Sequence, residues 1–416
     1  MLGAMVNWTR PGRAAVAAAG LAAAVLVAAA PEPARDEPLS KPDRIVLTPT
    51  PDPASSLAVT WRTEADGLGA QAELRGPRGA TGQVPAESSA RLVADGYAAR
   101  SHTAVFDHLD PGTTYTYRVG DGTDWSDWSE FTTATASPEP FTFVYLGDAQ
   151  RGLGQQWAQL VEQAAGDEPG ARVWLHAGDL VDDADSDAQW GAWFDAAAPS
   201  ATSALTIAAA GNHDHHDPAR VSRSWQPQFA FPDNGPGSDG VPAETVYYVD
   251  YQGVRFVVLN SNTALAAQAD WLDDVLTANP QRWSVVVFHH PVFSTAGNRD
   301  NPEVREAWLP ILEEHDVDLV LQGHDHTYGR GQIAEHGPVY VVSVSGSKMY
   351  DLGDPDDGWG RHGAELQHSA QDLQTYQVVR VDGDTMRYES RTLSGAVQDA
   401  FTIVKEGGAK RVVEEP

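Results

Sequence analysis

The chain has 416 residues, with 58 acidic against 28 basic, a formal net charge of −30 and no cysteine. Such a charge disfavours a nucleic-acid scaffold, because a polyanion is repelled, and the missing thiols exclude cysteine nucleophiles, thiolate zinc sites and disulfides. Hydrophobic residues make up 42%, enough for packed cores, and the length fits two domains plus a leader.

Arg10 and Arg13 precede an alanine-dominated apolar run from Ala14 to Ala30. Basic, apolar and small-residue stretches in that order form an export signal, so residues 1–30 are expected to be a signal peptide or N-terminal anchor of a secreted protein. The run is short for ~30 Å of hydrocarbon, and no stable membrane span is expected after cleavage. Residues 31–43, rich in proline and charge, read as a linker.

From residue 44 to 133 short β-rich runs alternate with turn signals: Ile45–Leu47, Leu57–Trp61, Ala72–Leu74, Thr103–Phe106, Tyr115–Val119 and Ser129–Thr132. This spacing predicts an all-β sandwich with Trp61 in its core. Ala134–Pro140 reads as a short hinge.

Over residues 141–405 the runs become compact and wholly apolar: Phe141–Leu146, Ala171–His176, Leu205–Ala209, Val254–Leu259, Trp283–Phe288, Val317–Leu321 and Val339–Val344. They predict buried strands. Helical patterns at Gln155–Ala165, Asp187–Ala197, Ala266–Leu276 and Pro302–His315 lie between them, giving an α/β domain. Residues 406–416 are expected to be a loose charged tail.

Five of these strands end on a polar group. Gly147-Asp148, Gly178-Asp179, Gly211-Asn212-His213-Asp214, His289-His290-Pro291 and Gly323-His324-Asp325-His326 follow them in chain order. Ligands of open α/β sheets bind beyond the strand carboxyl ends, where loops bring distant residues together. A lone Gly-Asp is more often a turn than a ligand, and His-His-Pro can be a core pair. Five in order have no packing explanation. A phosphate ester on so acidic a chain needs a local positive centre, and no run of Lys or Arg in the sequence supplies one.

With these motifs in this order the sequence resembles the calcineurin-like metallophosphoesterase superfamily, and within it the purple acid phosphatases. Leu109–Tyr117 is similar to the fibronectin type III turn in which a tyrosine braces the corner, and those enzymes commonly carry such a domain. The resemblance implies a fibronectin type III-like sandwich followed by two packed sheets flanked by helices. It implies that Asp179 bridges two metal ions, with Asp148 and His326 completing one site and Asn212, His289 and His324 the other. His213 would act as acid or phosphate-stabilising group, oriented by Asp214. The implied reaction is hydrolysis of a small-molecule phosphate ester by a metal-bound hydroxide, a monoester in preference to a diester. Mixed carboxylate, amide and imidazole donors suit Fe, Mn or Zn. The alternatives are a phosphodiesterase or nucleotidase of the same superfamily, or a metal-depleted surface-binding protein.

Two positions depart from the family pattern. Asp182 stands where purple enzymes place a tyrosine ligand, and Gln150 where other members place a histidine. Gln150, Asp182 or water would then complete the Asp148/His326 site. His215, His216 and Asp217 read as a solvated loop, and 351–357 as an acidic surface loop or lid.

Overall fold

The computed structural model describes residues 41–415, except 65–68, 78, 80, 90, 91, 95, 96 and 239. The expected export signal lies outside the described residues.

The N-terminal part is a β-sandwich. One layer holds Asp43–Pro49, Leu57–Glu64 and Tyr97–Phe106, with short Glu87–Ser88 and Leu92–Ala94 at its edge; the other holds Thr81–Pro85, Gln71–Arg75, Thr114–Gly120 and Ser129–Thr132. Trp61 is buried between the layers, and Phe106 stacks on Phe131 at 5.7 Å. Tyr115 is the corner tyrosine, its hydroxyl accepting from the Asp110 amide at 2.9 Å. Tyr117 reaches out of the sandwich and donates to the Thr202 carbonyl at 2.9 Å.

The sandwich is not a separate bead. Its strand Asp43–Pro49 pairs in parallel with Leu205–Ala209 at Leu47 and Leu205, so one twelve-stranded sheet runs through both parts.

The α/β part has two sheets. The first carries Phe141–Leu146, Val173–Ala177 and Leu205–Ala209 in parallel, extended on the far side by the antiparallel strands Thr375–Asp382, Thr385–Thr392 and Val397–Glu406. The second orders Tyr247–Tyr251, Val254–Val258, Trp283–Val287, Leu319–Gln322, Val339–Val342, Tyr328–Gln332 and Glu365–Ala370. Both faces of its central strands are covered. Val285, Val287 and Leu321 join the core shared with the first sheet, while Val286 and Val320 join a second core under Leu265–Thr277 and Pro302–Glu314. Burial on both faces is why these strands are unbroken apolar runs.

The expected loose tail is instead the edge strand Ala409–Glu414, paired with Val397–Glu406. Its charged residues have partners: Arg330 donates to Glu414 at 2.8 Å, and Lys410 pairs with Asp316.

Candidate metal centre

The parallel strands of the two sheets deliver their carboxyl-terminal loops to one place. Asp148 follows Phe141–Leu146, Asp179 follows Val173–Ala177, and Asn212 and His213 follow Leu205–Ala209. From the second sheet, His289 follows Trp283–Val287, and His324 and His326 follow Leu319–Gln322. The turns are tight. Asp148, Asp179, His324 and His326 all adopt positive φ (47°, 52°, 75° and 50°), a conformation that costs a non-glycine residue energy and persists where surrounding contacts enforce it. Gly211 is required sterically, since a Cβ there would run into Asp179 Oδ1.

Ligating atoms of Asp148, Asp179 and His326 lie within 4.8 Å of one another, all buried. Beside them, His289 Nε2 is 3.2 Å from Asp179 Oδ2, 3.2 Å from Asn212 Oδ1 and 3.2 Å from His324 Nδ1. Asn212 Oδ1 is also 3.0 Å from His324 Nδ1. Two imidazoles are fixed from behind. His289 Nδ1–H donates to the Ala177 carbonyl at 2.8 Å and His326 Nδ1–H to the Lys348 carbonyl at 2.9 Å, which leaves each Nε2 for the site. Asp148 is held by the His324 amide at 2.8 Å, and Asp179 Oδ1 by the His213 amide at 2.8 Å.

The charge balance calls for a cation. Burial pushes the Asp148 carboxyl well above the usual range. Burial also works to lower the His289 imidazole, yet Asp179 and Asp148 together raise it to about 9. Both shifts draw protons, and with them positive charge, into the buried cluster, and the converging donors fit metal ions.

The structure reassigns several residues. Asp214, expected to orient His213, accepts instead from the Gly211 amide at 2.8 Å and the Leu180 amide at 2.9 Å, bracing the loop that carries Asn212. His213 is oriented by Asp182, its Nδ1–H donating to the Asp182 carbonyl at 2.7 Å. The Asp182 carboxylate turns to Arg151 at 2.7 Å. Gln150 donates through Nε2 to Asp179 Oδ2 at 2.5 Å and accepts from Lys348 Nζ at 3.0 Å, so its oxygen faces the lysine.

Fixed positive charge, absent as a run in the sequence, is assembled from three loops. Besides Arg151 and Lys348, Arg299 donates to the His324 carbonyl at 2.6 Å and lies over Tyr350, whose ring is 4.8 Å from that of His326. Lys348 and Tyr350 went unremarked in the sequence, although they follow the apolar run Val339–Val344 as the recognised ligands follow theirs.

Fold and site together define a calcineurin-like phosphoesterase behind a β-sandwich. Residues 141–328 match the calcineurin-like phosphoesterase family and residues 42–133 match the purple acid phosphatase N-terminal domain. Both matches liken the chain to the purple acid phosphatases among the calcineurin-like phosphoesterases. It is 30% identical to purple acid phosphatase 17 of Arabidopsis thaliana over 34% of this chain and 46% of that one. It is 23% identical to probable inactive purple acid phosphatase 27 of the same plant over 73% and 58% of the two chains. The alignments thus span less than two thirds of these relatives' lengths. The solved structure of purple acid phosphatase PPD1 from yellow lupin (Lupinus luteus) seeds shares the fold, with a TM-score of 0.73 at 19% identity over 88% of this chain and 74% of that one. Among the described residues no helix is long and apolar enough to cross a membrane.

Proposed function

We propose that this protein is an exported dinuclear-metal phosphoesterase acting on phosphate monoesters. The observation that supports this most is the convergence of six donors around one shared carboxylate. Asp148, Asp179 and His326 would hold one ion, and Asn212, His289 and His324 the other, with Asp179 common to both. Donors of these types suit Fe, Mn or Zn, and two such ions would supply Lewis acidity and an activated water.

The chain's own residues do the rest. His213 Nδ1–H is committed to the Asp182 carbonyl, so Nε2 is the atom that holds the proton for the leaving alkoxide. Arg151 fixes Asp182 and thereby the ring. Lys348, Arg151 and Arg299 offer positive charge to the non-bridging phosphate oxygens. Three such cations suit a dianionic monoester better than a monoanionic diester. A non-catalytic role, raised by the name of the probable inactive relative, is disfavoured by the six donors that converge on the centre. Export rests on Arg10, Arg13 and the apolar run that follows them.

The test is phosphate release from a panel of esters after chelation and reloading with Mn, Fe or Zn, together with metal content by mass spectrometry. Asp179→Ala should lose turnover and hold both metals substoichiometrically. Full occupancy with ordinary rates in that variant would overturn the dinuclear assignment, and a metal-loaded wild type inert toward every ester would overturn the phosphoesterase reading.

A further inference from the structure

A cleft of about 700 Å³ opens beside the centre, sharing Asn212 with it and running past His290, Asn262, Asn301 and Glu303. The volume is that of a small-molecule pocket. The loop with His216 and Asp217, read from sequence as merely solvated, forms part of its wall.

The wall's hydrogen-bonding sense can be read from what its groups already do. Asn262 Nδ2 donates to the Ala210 carbonyl at 3.0 Å, and Asn301 Nδ2 donates to the Pro291 carbonyl at 2.9 Å. A backbone carbonyl can only accept, so in both amides the nitrogen is committed and the oxygen is the free acceptor. Glu303 adds a carboxylate, which only accepts when ionised. These three groups present acceptors and favour a ligand that brings donors to them.

Two classes of substituent are disfavoured by what the lining omits. Its only aromatic rings are the imidazoles of His215, His216 and His290, a smaller platform for a nucleobase than Phe, Tyr or Trp would give. It contains no Lys or Arg to neutralise a second phosphate, and Glu303 adds negative charge, while Asp217 and Asp300 are paired with Arg220 and Arg305.

We propose that this cleft is a subsite for the alcohol portion of the substrate, and that it takes a neutral, polyhydroxylated alcohol of sugar or polyol type. The inference rests on the phosphoesterase reading above and names the substrate class for that site.

The experiment compares kcat/KM of the metal-loaded enzyme for a hexose phosphate, glycerol phosphate, AMP and ADP, with p-nitrophenyl phosphate as reference. The hexose and glycerol esters should exceed both nucleotides by about tenfold, as expected for one or two net hydrogen bonds. In the Asn301→Ala/Glu303→Ala variant the ratio of hexose phosphate to p-nitrophenyl phosphate should fall by about tenfold. Turnover that favours AMP or ADP, or a ratio unmoved by the double substitution, overturns this inference and leaves the phosphoesterase reading standing. Failure to turn over any ester overturns that reading and this inference with it.

Discussion

His213 touches the centre through its backbone, and its ring is the general acid in the proposed reaction. Its amide holds Asp179 Oδ1, and its Nδ1 is anchored on the Asp182 carbonyl. Removing the ring in His213→Ala should leave metal content nearly intact and slow turnover by about 10²–10⁴-fold, the usual contribution of a general acid. Esters with good leaving groups should lose less, because their departure needs less protonation; equal losses across leaving groups would remove His213 from the role. A second residue-level expectation concerns colour. In purple enzymes the band comes from charge transfer between a tyrosinate ligand and ferric iron, and here the corresponding Asp182 is turned to Arg151. Two nearby tyrosines are engaged elsewhere, Tyr145 by the Gln322 carbonyl and Tyr328 by Asp399 at 2.6 Å. The ferric-loaded protein should lack a strong visible band. An absorption spectrum with such a band, lost in Tyr350→Phe, would place Tyr350 among the ligands and refute the expectation.

At the scale of elements, the residues that converge on the centre were legible because each follows a buried strand whose apolar run announces itself, and all but His289 come after a glycine that opens the turn. What lay hidden has the opposite character. The hairpins Thr375–Asp382, Thr385–Thr392 and Val397–Glu406 and the edge strand Ala409–Glu414 alternate charge with apolar residues, and their ion pairs are long-range. Arg391 pairs with Glu168 at 3.2 Å and Lys405 with Asp318 at 2.7 Å, contacts that no local pattern reveals. The contacts of Asp214 were hidden for a related reason. Adjacency to His213 suggested a catalytic pair, whereas the 3₁₀ turn at Asn212–Asp214 places its carboxylate beneath the loop, among backbone amides. Asp214→Ala should strand those buried amides, at about 1–3 kcal/mol for each unsatisfied group. The variant should therefore melt markedly lower while its folded fraction keeps the wild-type dependence on leaving group. A wild-type melting temperature combined with an altered leaving-group dependence would restore Asp214 to the chemistry.

For the whole molecule, the sequence suggested two domains across a hinge, and the structure shows one continuous sheet with a buried ion cluster at the seam. Arg62 pairs with Asp43 at 2.7 Å and with Asp187 at 2.8 Å, and Arg44 pairs with Asp187 at 2.9 Å while donating to Gln228 at 2.7 Å. Asp187 opens the helix Asp187–Ala201 of the catalytic part, so it ties both sandwich arginines to that part. Burial lowers the Arg44 guanidinium to about 10, with the neighbouring Arg62 adding to the effect and Asp187 opposing it. Deleting the Asp187 carboxylate would leave two buried arginines to share Asp43. Breaking a buried ion pair by removing one partner typically costs about 3–5 kcal/mol. Differential scanning calorimetry of the wild type should show one transition for sandwich and catalytic parts together, because neither buries its share of the seam alone. Asp187→Ala should lower that transition sharply or split it, with the sandwich melting first. Two well-separated transitions in the wild type would show that the seam does not couple the two parts, and an unchanged melting profile in Asp187→Ala would show that the cluster does not hold them together.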